Sequence, residues 1–448
     1  RWMLEPSRAA RSRRILSSLG YSNKAERLGE VLSEKLYGRP LVTSVSRLER
    51  FQQCPFRHFA RDGLGLRERE VFELDPLKAG SFFHEAMREF ILKVSASGQQ
   101  VEHMKHQDVI EIMDEVVQHL VPRIQNELLL STFRYKHVSQ SLGSVLRRSA
   151  MLFLEHMQRS KFRPLAVEVP FGLPGGTTPY SVSVPGHGEI LIRGRIDRVD
   201  VAELESNLYV RIIDYKSSPS DLDLLEVYYG LSLQLLVYLC VVLSKWDEIA
   251  KGPCMLPGIV GPGQEEAQTA GRAHELMKVL DTLVPLPAGA VYMAIDDPFI
   301  KEDGPIDPDS AWAELKKKLK MSGALVDDIE VLRLMDETSL GSSDILPVYF
   351  TKAGKIGSSS KTVAGDDLNA LLTYVTGKVS QISAEIISGK IDIEPFRRNQ
   401  QRACTYCVFG PLCTFDVLVE GNRYNTLKDV STEHIWEEIR GVSKGGKK

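Results

Sequence analysis

Six cysteines in 448 residues are too few for a disulfide scaffold, and such sparing use of thiols is read as the mark of a reducing cytoplasm. Long apolar runs are missing too. The longest, LSLQLLVYLCVVL at 231–243, is too short for a bilayer and is interrupted by Gln234, so it predicts a buried helix and gives no reason to expect a membrane. Nor is there a surplus of one charge. A net charge of −3 leaves no polycation, and any contact with nucleic acid must use a local basic surface. The opening RWMLEPSRAARSRRILSSLGY has neither an initiating Met nor a signal-peptide pattern, so the expectation is a fragment of something longer. Internal repeats are also lacking.

What is present changes period along the chain. Residues 1–40 read as helical, and a new unit starts at TSVSRLERFQQCPF, where Ser46 and Glu49 have the spacing of a capping box and Pro55 should end the helix just after Cys54. GSFFHEAMREFILKV (80–94) predicts a helix beginning after a glycine, and helical spacing continues from about 100 to 160. Alternation then takes over in LAVEVPFG (165–172), EILIRGRIDRVDV (189–201) and LYVRIIDYKSS (208–218), which predict strands, the last two forming a hairpin through AELESN. Residues 250–272 read as a loop, 289–299 and 345–357 as further strands with a charged helix between them, and 366–389 as a long amphipathic helix. GVSKGGKK at the end reads as disordered. The domain expectation is a tail of an upstream region over 1–40, a main unit over 41–430, and a C-terminal helix with a disordered tail over 431–448.

The hairpin carries the chemistry. Asp214 and Lys216, two apart in a strand, must project to one face, and pairing around AELESN brings Asp197 opposite them. Two carboxylates and an ammonium on one sheet face suit a hard divalent cation that takes oxygen ligands, with the Lys placed to position or deprotonate a water. That is the equipment of metal-assisted phosphodiester hydrolysis. Glu168, on the preceding strand, could add a carboxylate. GKIGSSSKT (354–362) imitates a phosphate-binding loop, but Ser360 stands where a glycine must precede the Lys, so no nucleotide site is expected.

CTYCVFGPLC places Cys404, Cys407 and Cys413 within ten residues, enough for three ligands from one loop. Cys54 is the expected fourth, because it precedes Pro55 in an Arg-rich segment where positive charge favours a thiolate, whereas Cys240 lies in the apolar helix and Cys254 in the loop. The spacing admits zinc or an iron–sulfur cluster, and spacing alone favours zinc, the commoner structural ion.

GRIDRVD, IIDYKSS and GLSLQLLVYL together resemble the PD-(D/E)XK nucleases of the RecB type, and GSFFHEAMREF resembles that family's Gly-x-x-x-His segment. The resemblance implies an α/β restriction-endonuclease-like core, a mixed sheet flanked by helices with helical insertions. It implies Mg²⁺ held by His84, Asp197, Asp214 and the Tyr215 carbonyl, Lys216 activating the water, and Gln234 and Tyr238 supporting the site or touching DNA. The cysteines that bracket these motifs, with EPFRRNQQRACTYC, are similar to the iron–sulfur staple of the family of AddB-type nucleases found in AddAB bacterial helicase–nucleases, which implies a [4Fe–4S] cluster on Cys54, Cys404, Cys407 and Cys413. Residues 1–40 then resemble the end of that family's helicase-like portion. The implied function is a bacterial, cytoplasmic exonuclease domain that pairs with a helicase–nuclease A subunit in ATP-driven processing of double-strand breaks and cuts the strand ending 5′. Closure by the cluster is expected to gather Arg47, Arg50, Arg57 and Arg61 near Arg397, Arg398 and Arg402 as a basic lip for single- and double-stranded DNA. Two rival expectations remain: a CRISPR-associated RecB-like nuclease, and a DNA-binding module whose nuclease site is silent.

Overall fold

A computed structural model of the chain describes residues 9–19, 27–69, 76–123, 132–256, 280, 282–301, 304–338, 340–419 and 422–445. Two short helices, α1 (Ala9–Leu19) and α2 (Glu30–Tyr37), precede a two-residue strand β1 (Val42–Thr43) and helix α3 (Val45–Gln53). Cys54 ends α3 and begins the one-turn α4 (Pro55–His58), as the proline requires. Ser44, not Ser46, stands at the start of α3 and makes no side-chain cap, so the expected capping box does not form. Glu49 points elsewhere.

Three long helices follow: α5 (Pro76–Ala96), α6 (His106–Leu120) and α7 (Phe133–Arg159). α5 starts four residues before the glycine expected to open it, because Pro76 is tolerated at a helix start and Gly80 within the first turns. The strands are β2 (Arg163–Phe171), β3 (Tyr180–Val184), β4 (Gly188–Ile192), β5 (Gly194–Leu204) and β6 (Asn207–Lys216). The single strand expected over 189–201 is therefore two. β4 pairs with β1 and β3 in a small sheet, while β5 joins the main one. The break falls at Arg193, and β5 opens at Gly194, where an added Cβ would meet the Phe171 ring at 2.8 Å and the Tyr238 hydroxyl at 3.2 Å. The hairpin is tighter than AELESN suggested: pairing runs through Leu204 and Asn207, leaving Glu205 and Ser206 as the turn, with Glu205 at a positive φ of 55° as such turns demand.

After β6 come α8 (Leu224–Tyr228), α9 (Gln234–Ser244), β7 (Pro285–Ala294) and β8 (Ser322–Leu325). The main sheet has the order β2-β5-β6-β7-β8, antiparallel except for the parallel β6–β7 pair, whose crossover contains α9. β8 was not foreseen, and the segment expected as a strand over 345–357 contributes only Tyr349–Phe350, paired with Gly341–Ser342. One sheet face is covered by α5, α6 and α7 around Phe90, Met113 and Phe153. The other is covered by α3, α9 and the long α10 (Gly365–Ile387) around Phe51, Leu236 and Val375. This is the mixed sheet between helices that the motifs implied. The end of the chain, α11 (Thr432–Gly445), is helical through residues expected to be disordered, while 446–448 lie outside the described residues, as does most of the predicted loop over 250–272. Among the described residues no helix is long and apolar enough to cross a membrane.

Candidate active site

β5 and β6 pair Arg198 with Ile213, so the next step along the ladder sets Asp197 opposite Asp214. Both carboxylates leave the sheet on the face covered by α9. The Tyr215 N–H donates to Asp197 Oδ2 at 2.8 Å, which pins that carboxylate against the neighbouring strand. Gln234 donates its amide to Asp214 Oδ1 at 2.9 Å. Lys216 Nζ lies 2.6 Å from Asp214 Oδ2 as an ion pair. The ammonium also sits 5.1 Å over the ring of Tyr292, which β7 holds beside Asp214.

His84 reaches the same place from α5. Its Nδ1 is 3.2 Å from Asp197 Oδ1 and 3.8 Å from Glu168 Oε1, and these three side chains place a ligand atom each within 4.8 Å of the others. Glu168 has φ of 50°, a left-handed conformation that a non-glycine residue adopts at a cost. The strain turns its carboxyl towards His84 and Arg195, whose Nη1 is 3.4 Å from Oε2.

The electrostatics are those of a site short of positive charge. Burial, then the charge of Asp197, pushes the Asp214 carboxyl up to about 6. Burial opposes charge on His84, yet its pairing with the Asp197 and Glu168 carboxylates outweighs this and raises it to about 10. Burial likewise opposes charge on Lys216, and Asp214 reverses the balance and keeps the ammonium protonated. An oxygen-rich set with one imidazole fits a hard divalent cation.

Tyr238 is tied in through its hydroxyl, which accepts from the Arg195 N–H and so grips β5 two residues before Asp197. Two residues at the site escaped sequence reasoning. Tyr292 lay in a predicted strand with nothing to single it out. Glu49 was assigned to its own helix, whereas its Oε1 accepts from the N–H groups of Leu233 and Gln234, 2.7 and 3.0 Å away at the start of α9. Burial pushes its carboxyl up to about 7, against those two hydrogen bonds. The imitation phosphate loop is accounted for by local contacts: Lys361 pairs with Asp221, Thr362 donates to Asp327, and Ser360 accepts from the Tyr349 N–H.

A second constellation lies at the far end of α3. Cys54, Cys404, Cys407 and Cys413 line one hollow with Phe56, Phe409 and Phe415, and none is in a disulfide. Four thiols in an apolar cup fit a thiolate-bound centre, while Cys240 and Cys254 lie elsewhere. Positive charge, the expected reason for Cys54, is not what sets its state. Burial pushes its thiol up to about 12, and its sulfur neighbours Cys404 and Cys407 add to this, so without a bound centre the nearby arginines do not make it a thiolate. Little regular structure supports the loop: β11 (Phe396–Arg398) pairs with two-residue segments at Gln401–Arg402 and Asn425–Thr426, β9 and β10 being Gly341–Ser342 and Tyr349–Phe350.

The arginines divide. Arg47 and Arg50 pair with Asp62, and Arg398 with Asp223 at 2.7 Å and Asp429 at 3.3 Å, so these three are engaged by carboxylates. Arg57 donates to Gln53, Arg61 is crowded by other guanidiniums, and Arg397 and Arg402 flank the ring of Tyr424 at 5.7 and 5.9 Å.

Residues 42–414 match the family model of the PD-(D/E)XK nuclease superfamily. The chain belongs to that superfamily. Among its relatives are three proteins, each named as the B subunit of an ATP-dependent helicase/deoxyribonuclease. Those of Moorella thermoacetica, Pelotomaculum thermopropionicum and Bacillus mycoides are 34%, 36% and 37% identical to it, over 98%, 99% and 96% of the chain. The chain spans about a third of their length, 35%, 36% and 34% respectively.

Proposed function

We propose that this chain is a Mg²⁺-dependent DNA exonuclease domain of a helicase–nuclease that processes double-strand breaks for recombinational repair, in a bacterial cytoplasm and beside a helicase–nuclease A subunit. The observation that carries the reading is the meeting of His84, Glu168 and Asp197, from a helix and two strands, within 4.8 Å and beside Asp214 and Lys216. The relatives' names support the assignment to a helicase–nuclease over a CRISPR-associated enzyme. By the resemblance of its motifs, the strand cut is the one ending 5′, and the nuclease unit occupies 41–430.

His84, Asp197, Asp214 and the Tyr215 carbonyl would hold the cation, with Glu168 as a further oxygen donor. A bound Mg²⁺ supplies Lewis acidity towards the scissile phosphate and makes a water more acidic. The protein's own groups do the rest. Gln234 fixes Asp214, the Tyr215 N–H fixes Asp197, and the Lys216 ammonium donates to the attacking water and to charge that builds on the phosphate oxygens. Tyr292 under the ammonium limits its swing. The four cysteines would hold a [4Fe–4S] cluster, with zinc as the alternative, tying Cys54 to the loop at 404–413 without taking part in hydrolysis. Arg57, Arg61, Arg397 and Arg402 form the DNA-facing basic edge.

The test is digestion of end-labelled single-stranded DNA with and without Mg²⁺ by the chain and by Asp214→Ala. Mg²⁺-dependent degradation that disappears in the variant is expected. Equal degradation by both proteins would place the activity outside this site, and binding without cutting, with the A subunit and ATP added, would favour the silent module.

A further inference from the structure

Helix α9 carries Gln234 and Tyr238, yet its own neighbourhood offers it no cap. Leu233 at the N-cap position has no side-chain acceptor, and the first N–H groups of a helix find no partner within it. Ser232, one residue earlier, is engaged with the Tyr292 hydroxyl. The acceptor comes from 184 residues away, where a single Glu49 oxygen takes the Leu233 N–H at 2.7 Å and the Gln234 N–H at 3.0 Å. A carboxylate is the favoured group there, since the positive end of the helix faces it. Gln234, held by its backbone, gives its side-chain amide to Asp214 Oδ1. Asp214 Oδ2 is thereby turned to the open side of the site, beside the Lys216 ammonium 2.6 Å away.

We propose that Glu49 is a positioning residue for the cation site: by clamping the start of α9 it sets the Gln234 amide on Asp214 Oδ1 and keeps Oδ2 directed at the cation. The inference rests on the reading of the site as a Mg²⁺ centre. Glu49 touches neither cation nor DNA and acts through Gln234. A cap that served stability alone would lower the melting temperature and leave cation affinity unchanged. Because Glu49 sits one turn before Cys54, it also makes α3 a shared element of both constellations.

The experiment uses the full chain as wild type, Glu49→Ala, Glu49→Gln, Gln234→Ala and the Glu49→Ala/Gln234→Ala double variant. Mg²⁺ affinity is measured by calorimetric titration and amide exchange by mass spectrometry. Glu49→Ala should speed exchange over 233–236 and weaken Mg²⁺ binding by about tenfold or more, the usual scale for residues that orient ligands. Glu49→Gln keeps the acceptor oxygen and should restore most of both. Adding Glu49→Ala to Gln234→Ala should weaken Mg²⁺ no further. Additive losses, or undiminished affinity in Glu49→Ala, would overturn the role of Glu49 alone. A wild type that takes up no Mg²⁺ would overturn the site reading itself and this role with it. Should Glu49→Ala not fold, Glu49→Asp, one methylene shorter, must show an intermediate loss of affinity or the proposal fails.

Discussion

Both constellations are built from distant pieces of chain, and they are held in opposite ways. The carboxylate site draws on α5, β2, β5, β6 and α9, all anchored in a five-stranded sheet with a core on each face. Its carboxylates are directed by the protein's own groups, the Tyr215 N–H, Gln234 and Lys216. The cysteine cup draws on one helix end and on a loop whose strands are two or three residues long. Its direct tie to α4 is the Phe56 N–H donating to the Asp392 carbonyl at 3.1 Å. A site held by a sheet can lose its ligand and stay folded, whereas a loop this poor in regular structure gains more from a bound centre. On the proposed reading, chemistry therefore belongs to the first site and closure to the second.

The sharpest way to break this contrast is Lys216→Ala. It should cut the rate of DNA hydrolysis by about 10³-fold, the scale of one lost donor to charge developing on the phosphate, while iron content stays at the wild-type level. Cys407→Ser should do the reverse. A cluster joining Cys54 to Cys404 closes a loop of about 350 residues, and losing such a cross-link should lower the melting temperature by roughly 10 °C along with the iron content. Cys54→Ser should match it, and Cys240→Ser should change neither.

A smaller effect follows from the charge on Asp214. Burial first, and Asp197 second, raise its carboxyl from 3.8 to about 6. Between those values the native state binds the proton more tightly than the unfolded chain, so this group's contribution to stability falls as pH rises through the window. Asp214→Asn should thus raise the melting temperature of the Mg²⁺-free protein by several degrees at pH 7 and hardly at all at pH 4. Mg²⁺ should stabilise the wild type and not the variant. The smallest effect is expected at the basic edge. Arg402→Ala should weaken DNA binding severalfold and reduce its salt dependence by about one charge, whereas Arg398→Ala, which breaks pairs with Asp223 and Asp429, should act on stability.

The legibility of the sequence followed the same division. Asp214, Lys216 and the opposing Asp197 could be read from alternation alone, since strand geometry dictates which residues share a face. The change of sheet at Arg193 could not be read, because it depends on the Arg193 N–H reaching the Thr43 carbonyl of β1. β8 is four residues long and contains a glycine, too little for a pattern to register. His84 stood out only through its motif, and Cys54 through its place before Pro55 in an Arg-rich segment. Glu49 was misread because a local spacing rule competed with a partner 184 residues away, and the distant partner won. The carboxylate partners of Arg47, Arg50 and Arg398 were not legible, because pairing with Asp62 or Asp223 depends on tertiary approach.

The most direct test of the account is calorimetric titration of Mg²⁺ into the anaerobically purified chain and into Asp214→Ala, with melting and iron content measured on the same samples. The account predicts saturable Mg²⁺ uptake by the wild type, none by the variant, and the same iron content with little change in melting temperature. Equal uptake by both proteins, or loss of iron and fold on removing this one carboxylate, would contradict the separation of chemistry from closure.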